Sequence, residues 1–282
     1  MKPVTLEYRP PSSPLCPYTS LFYDFRTDLP FIDDHERADL AQLRFVLRTP
    51  RPGDYTFADG TRSEAPLIQL LGPTTGPVRT RGFGPIHVFG CGLLPRGWAA
   101  LLKFEASLLV NRVIDATSLF GEEIVDLRQE LVSASGIDER VTLLSAWLSA
   151  VFEREETHAT QFTRQVDAWL ETVDPSLDAL IAATGMSARQ LERNCNRYYG
   201  APPKLLARKY RALRAAVMLA RDHVDITDLI ALGFYDQSHL IREIKQFTGF
   251  TPGKLAVELT PLTSLTLRRG EFDQLSPLVT QT

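Results

Sequence analysis

The chain has 282 residues, 44% of them hydrophobic and 23% charged, with a formal net charge of −3. That length leaves room for two domains, and so even a charge balance excludes a polycation that binds nucleic acid through bulk charge. Three cysteines at 16, 91 and 195 give neither a disulfide framework nor paired metal spacing, and no apolar run approaches ~18 residues, so a reduced cytoplasmic protein without signal peptide or membrane span is expected.

Residues 1–20 are proline-rich and read as extended, pinned at their end by Leu21, Phe22, Tyr23 and Phe25. Leu43–Thr49 alternates apolar and basic residues, Arg51-Pro52-Gly53-Asp54 reads as a turn, and Tyr55–Ala58 is a short strand closed by Asp59-Gly60. Pro66–Leu71, Val78–Phe83 and Ile86–Leu93 continue the series between Gly/Pro pairs. Short strands at this spacing predict a small sandwich or barrel. At Gly97 the period changes: Trp98–Val110, Glu122–Ala134 and Asp138–Glu156 carry apolar residues every three or four positions and are expected to be helices on the β-unit. Val141, Leu144, Leu148 and Val151 make one stripe, which covers the sheet or meets the same helix of a second subunit. Glu153–Glu156 is a charged run that ends the helix and starts a linker.

Two clusters in this half invite a chemical reading. His87 and Cys91 share a strand face, but without a third ligand or an orienting acid they read as a packed histidine beside a buried thiol. Neither a catalytic constellation nor a metal or cofactor site is expected. Trp98, Phe104, Trp147 and Phe152 read first as core and second as the lining of an effector pocket.

From Gln161 the pattern is almost wholly helical. Gln161–Thr172 is followed by Pro175–Thr184, with Pro175 at a first helical position. Gly185-Met186-Ser187 makes a turn, and Ser187 caps a helix running to Tyr199. Lys204–Asp222 is a long helix of about 28 Å at 1.5 Å per residue. Asp225–Leu232 and Gln237–Thr248 then repeat the short-helix, turn, long-helix order, with Asp236 as N-cap and Gly249 as terminator. Leu240, Ile244 and Phe247 form the apolar stripe of the last helix; Gln237, His239, Arg242, Glu243 and Gln246 form its polar face. Residues 160–259 hold 13 Lys/Arg against 11 Asp/Glu, while residues 1–159 hold 16 against 21. Residues 260–282 read as a loose tail.

The two halves repeat at a lag of about 49 residues. Gly185 answers to Gly233, Leu191 to Leu240, Arg193 to Arg242, Gly200 to Gly249 and Pro202 to Pro252. Each half sets an apolar anchor and an arginine two positions beyond it. One such helix fits the major groove of B-DNA, and two joined by a rigid helix suit successive grooves.

Residues 161–259 resemble the AraC/XylS family of transcription regulators, through GMSARQLERNCNRYYGAPPKLLARKYRALRAA and ITDLIALGFYDQSHLIREIKQFTGFTP. The resemblance covers about a third of the chain and implies two helix-turn-helix units, binding to double-stranded DNA and control of transcription, with RNA polymerase as a further partner. It places base-reading positions of the first unit on Arg189, Glu192, Arg193 and Asn196, and those of the second on Gln237, Ser238, His239 and Arg242. Arginine grips guanine O6/N7 and glutamine pairs with adenine, while Ser187 and Lys245 suit phosphate contacts, which set register. Cys195 stands where the family usually has Phe, which leaves the first unit's core smaller. Arg208, Arg211 and Arg214 on the long helix read as a solvated face or as neighbours of the DNA backbone.

The first 160 residues resemble, less specifically, the sensory half of such regulators, implying a cupin-like barrel that senses a small effector, dimerises, or both. The expectation is therefore an α+β chain: residues 1–157 a β-rich sensory or dimerisation domain with appended helices, 158–259 an all-α double helix-turn-helix domain, 260–282 a tail. Two alternatives remain open, an N-terminal domain that binds a protein partner and an N-terminal enzyme carrying a DNA-binding tail.

Overall fold

The computed structural model describes residues 4–152, 157–221, 224, 226–257 and 262. Among them the N-terminal region holds strands β1 (Val4–Arg9), β2 (Thr19–Thr27), β3 (Phe31–Glu36), β4 (Ala41–Arg48), β5 (Asp54–Thr56), β6 (Arg62–Glu64), β7 (Ile68–Leu71), β8 (Val78–Phe83), β9 (Ile86–Leu93) and β10 (Val113–Asp115). They form two antiparallel sheets, one ordered β1-β2-β9-β4-β7-β10 and the other β3-β8-β5-β6. The bounds of β8 and β9 match the sequence expectation. The first strands do not: the stretch expected to be merely extended pairs Val4–Arg9 with Arg9's partner Phe22 and onward to Thr27.

Alternation along β4 shows how the larger sheet is used. Leu43, Phe45 and Leu47 join Phe22, Phe89 and Cys91 in a core beneath the helices, while Gln42, Arg44 and Val46 face a cavity between the two sheets. The strand is buried up to Arg48, so its alternating arginine points into the molecule and not to water.

Helices α1 (Pro95–Leu101), α2 (Thr117–Phe120), α3 (Glu122–Ser133) and α4 (Ile137–Phe152) cover the outer face of this sheet, with a 3₁₀ turn at Ala106–Leu109. The helix expected over 98–110 is broken because Trp98 draws the chain back: its indole N–H donates to Phe104 O at 3.0 Å, and the two rings meet edge to face at 5.5 Å. Leu144 and Leu148 of α4 are buried, with Val141 and Val151 packed against the same cluster. The stripe thus serves the region's own core, and Trp98, Phe104, Trp147 and Phe152 belong to that core too. Residues 153–156, the expected linker, lie outside the described residues.

The C-terminal region is helical: α5 (Thr157–Leu170), α6 (Leu177–Thr184), α7 (Ala188–Tyr199), α8 (Pro203–Arg221), α9 (Ile226–Ile230), α10 (Gln237–Thr248) and α11 (Pro252–Val257). One cluster gathers Phe162, Val166 and Trp169 of α5 around Leu191, Cys195 and Tyr198 of α7; a second gathers Ala215 and Ala216 of α8 around Leu240 and Ile244 of α10. Pro175 does not start α6. Ser176 caps it, its hydroxyl accepting from Ala179 N–H, while the Trp169 indole N–H holds Ser176 O at 2.7 Å. The true repeat partner of Pro252 is Pro203, since each is the first residue of the helix that follows a unit.

The two regions touch through main chain as well as side chains. Ala38 N–H, just past β3, donates to Phe247 O of α10 at 2.7 Å. Lys209 of α8 is buried and donates to Asp39 O at 2.7 Å and Thr74 O at 2.9 Å, while burial pulls its pKa down to about 8. Leu262 N–H donates to Asp34 Oδ2 at 2.9 Å; the rest of the expected tail, 260–282, lies outside the described residues. No helix among them is long and apolar enough to cross a membrane.

Candidate nucleic-acid interface and ligand cavity

Helices α7 and α10 are built alike. Ser187 caps α7 in a reciprocal capping box: the Ser187 hydroxyl accepts from Gln190 N–H, and the Gln190 side chain accepts from Ser187 N–H at 2.9 Å. Asp236 caps α10, its carboxylate accepting from His239 N–H at 2.7 Å. Gly200 and Gly249 end the two helices at φ 74° and 81°, the left-handed conformation that costs glycine nothing. Leu191 and Leu240 are each fully buried and fix the inner faces.

The outer face of α7 carries Arg189, Glu192 and Arg193, all exposed, with Asn196 half-buried; together with Ser187 they line one shallow depression. On α10, Gln237, Ser238, Arg242 and Lys245 are exposed. Among the described residues, Arg189, Arg193, Arg242 and Lys245 have no ion-pair partner. Unpaired guanidinium and ammonium groups on capped helices are what phosphate and guanine edges engage.

Other expected members of the polar face are turned elsewhere. His239 folds back: its Nδ1 accepts from Tyr235 N–H at 3.2 Å and its ring meets Phe234 at 5.8 Å, edge to face. Glu243 does not face outward. It is buried, and Arg208 of α8 holds its two oxygens at 2.7 and 3.1 Å while also donating to Gln246. Arg211 lies 3.6 Å from Asp174 and over the Phe234 ring, and Arg214 donates to Leu170 O and Thr172 O. The three basic residues of α8 thus tether neighbouring elements and do not make one solvated face: Arg214 is buried, Arg211 nearly so, and Arg208 keeps 41% of its side chain exposed while it holds Glu243. Tyr235, at 90% exposure the barest large apolar side chain described, adjoins Gln237 and was not singled out by sequence; its place inside a turn gave no periodic signal.

Cys195 is fully buried, and burial pushes its thiol up to about 12. It shares a core cluster with Phe162 and Tyr198, whose ring centroids are 5.7 Å apart. Beside them the half-buried Asp167 lies against the Tyr199 hydroxyl at 2.6 Å, and desolvation raises its pKa to about 7.

The cavity between the sheets is about 130 Å³. Leu6, Phe25, Ile32, Val46, Leu67 and Val88 supply apolar wall. A polar end is built on Arg44, whose guanidinium grips Glu36 in a fork and also reaches Gln42 at 3.0 Å and the Tyr55 hydroxyl at 3.2 Å. Burial opposes charge on both partners, but each holds the other ionised: Arg44 ends well above its ordinary value and Glu36 below its own. These residues were missed because a lone Glu or Arg on a strand reads as surface; only the burial of both faces reveals them. His87 sits elsewhere, 3.0 Å from Asp24, and Cys91 is buried in the core. No group of three His, Cys, Asp or Glu able to hold a metal occurs among the described residues.

A family model described as a helix-turn-helix domain matches residues 180–256. The F1 operon positive regulatory protein of Yersinia pestis is 36% identical over 84 residues, 29% of this chain and 28% of that protein, so the match spans little more than a quarter of the curated relative. Two solved structures of Vibrio cholerae ToxT overlap most of the chain: one from strain O395 with TM-score 0.48, 9% identity, 92% of this chain and 100% of that one, and an apo variant from strain SCE256 with TM-score 0.49, 10% identity, 92% and 99%. The matched segment holds both capped helices and the helix that joins them. Residues 180–256 therefore form a helix-turn-helix domain of the AraC type, similar to part of that Yersinia pestis regulator.

Proposed function

We propose that the chain is a sequence-specific DNA-binding transcription regulator in which α7 and α10 enter successive major grooves of one duplex. The observation that carries this is the matched pair of capped helices, each anchored by a buried leucine and each leaving unpaired basic side chains outward. Arg189, Arg193, Gln237 and Arg242 are assigned to base edges, with Glu192, Asn196 and Ser238 beside them. Lys245 is assigned to phosphate, as is Ser187, whose hydroxyl also serves its cap. His239 is the least free of the set, with Nδ1 accepting from Tyr235 N–H and Nε2 3.8 Å from Glu243. The test is fluorescence anisotropy on genomic fragments selected by the full chain. Arg242→Ala is expected to cost about 1–3 kcal/mol on the selected site and to relax preference at one base pair; unchanged affinity would remove α10 from the interface.

We further infer that the N-terminal region senses a small molecule in the cavity between the sheets. Supporting this, β3 lines the cavity through Ile32 and Glu36, and two residues later Ala38 is bonded to the end of α10. A change at the polar end thus has a short route to the second reading helix, along the chain from Glu36 to Ala38 and across one hydrogen bond. Dimerisation and contact with RNA polymerase belong to the same reading, as does work in the cytoplasm where the DNA lies. Because the α4 stripe is used internally, a dimer contact falls on another surface.

A further inference from the structure

The cavity has a feature that bears on what enters it: its charges are already paired. Three charged side chains line it among the described residues, Glu36, Arg44 and Arg81. Arg44 is committed to Glu36, and Arg81 donates to Asp54 from Nε at 2.9 Å and Nη2 at 2.7 Å. The neutral groups at the polar end are satisfied as well. Glu36 accepts from the Thr80 hydroxyl at 2.9 Å, the Tyr23 hydroxyl donates to Gln42 at 2.8 Å, and the Tyr55 hydroxyl donates to Gln69 at 2.7 Å. A carboxylate entering here sheds its water, finds no unpaired cation, and lies beside the Glu36 carboxylate. A hydroxyl or carbonyl meets no such penalty, because each tyrosine oxygen keeps acceptor capacity and the guanidinium keeps an N–H beyond its four contacts. Size sets the second limit. A cavity of about 130 Å³ is close to the ~150 Å³ apolar cavity that holds benzene in an engineered protein.

Building on the sensing reading above, we propose that this cavity selects a small neutral molecule of about one ring, with a single hydroxyl or carbonyl group, and rejects the corresponding carboxylate. The Glu36–Arg44 pair is then a charge filter: it keeps the polar end hydrogen-bonding but electrically closed.

Benzyl alcohol and benzoate, matched in size, test this by calorimetric titration into the full chain at neutral pH. Benzyl alcohol is expected to bind at least about ten-fold more tightly, one full unit of charge desolvation outweighing a hydrogen bond. Val88→Phe fills the apolar wall and is expected to abolish benzyl alcohol binding without lowering the thermal midpoint. Glu36→Gln leaves the Arg44 charge uncompensated and is expected to reverse the preference in favour of benzoate. If that variant does not fold, the two titrations of the parent still decide. Benzoate binding the parent as tightly as benzyl alcohol overturns the filter alone. Binding of neither overturns the sensing role of the cavity, and the filter with it.

Discussion

Asp167 shows how one half-buried, desolvated carboxyl couples acidity to the first reading helix. It sits on α5 against Tyr199 at the end of α7, and the same Tyr199 hydroxyl donates to Thr163 O at 3.0 Å. Burial holds its pKa near 7 in the folded chain, against roughly 3.9 when unfolded. Because the folded value is the higher, the proton favours the fold: the contribution is complete below the unfolded value and is lost as pH rises through about 7. Asp167→Asn is expected to flatten thermal stability between about pH 4 and 7, the span between the unfolded and folded values; an identical pH slope in the variant would assign the dependence to another group. His239 makes a different point at this scale. With its ring bonded to Tyr235 N–H and set against Phe234, His239→Ala is expected to lower the unfolding midpoint by more than it alters base preference, read by calorimetry and anisotropy on one preparation.

At the level of elements, α8 holds the two units in place through Arg208, Arg211 and Arg214. Arg208 gives Glu243 its only ion-pair partner at hydrogen-bonding distance among the described residues, on a carboxylate that is 4% exposed. Arg208→Ala strands that carboxylate and is expected to cost about 1–3 kcal/mol in chemical denaturation, below the range for fully buried pairs because the arginine is 41% exposed. Adding Glu243→Ala is expected to return part of the loss; a purely additive double variant would mean the pair contributes nothing. Such tethers are hard to see in sequence, since three arginines at three-residue spacing look like a wet face. The helices they support were legible: α7 and α10 have their caps, terminators and bounds written in Ser187, Gly200, Asp236 and Gly249. Strands β8 and β9 were legible for a similar reason, being bounded by Gly and Pro. β1 and β2 were not, because their pairing joins residues far apart and β2 is buried on both faces, which erases the alternation that marks a strand.

For the whole molecule, the contact between regions is the part that sequence hid most completely. Lys209 reads as one more basic residue of a long helix, yet it is buried and donates to two carbonyls of the N-terminal region. Lys209→Met removes the ammonium from Thr74 O and leaves Asp39 O only the Thr74 N–H at 3.1 Å, and amide exchange at Ala38 and Asp39 is expected to quicken by about ten-fold or more. The pH dependence has a definite sign. The buried lysine titrates near 8, below its ordinary value of about 10.5. Burial of its charged form opposes docking below that point, so the contact strengthens from about pH 8 upward and weakens as pH falls. Exchange at Ala38 in the parent is expected to slow, once corrected for intrinsic chemistry, between about pH 8 and 10.5, the span between the folded and ordinary values. Residues 158–259 alone are expected to bind the selected DNA fragments; loss of binding there would mean that the N-terminal region supplies a needed second copy.

The bond from Ala38 N–H to Phe247 O joins peptide groups, not side chains. Peptide groups are common to every residue but proline, so this link places almost no demand on sequence. The outward positions of α10 are free to drift toward a new DNA site, and the residues around the cavity toward a new ligand, while the seam between them persists. A lineage built on this chain can change its input and its target separately, and keep the connection it inherited.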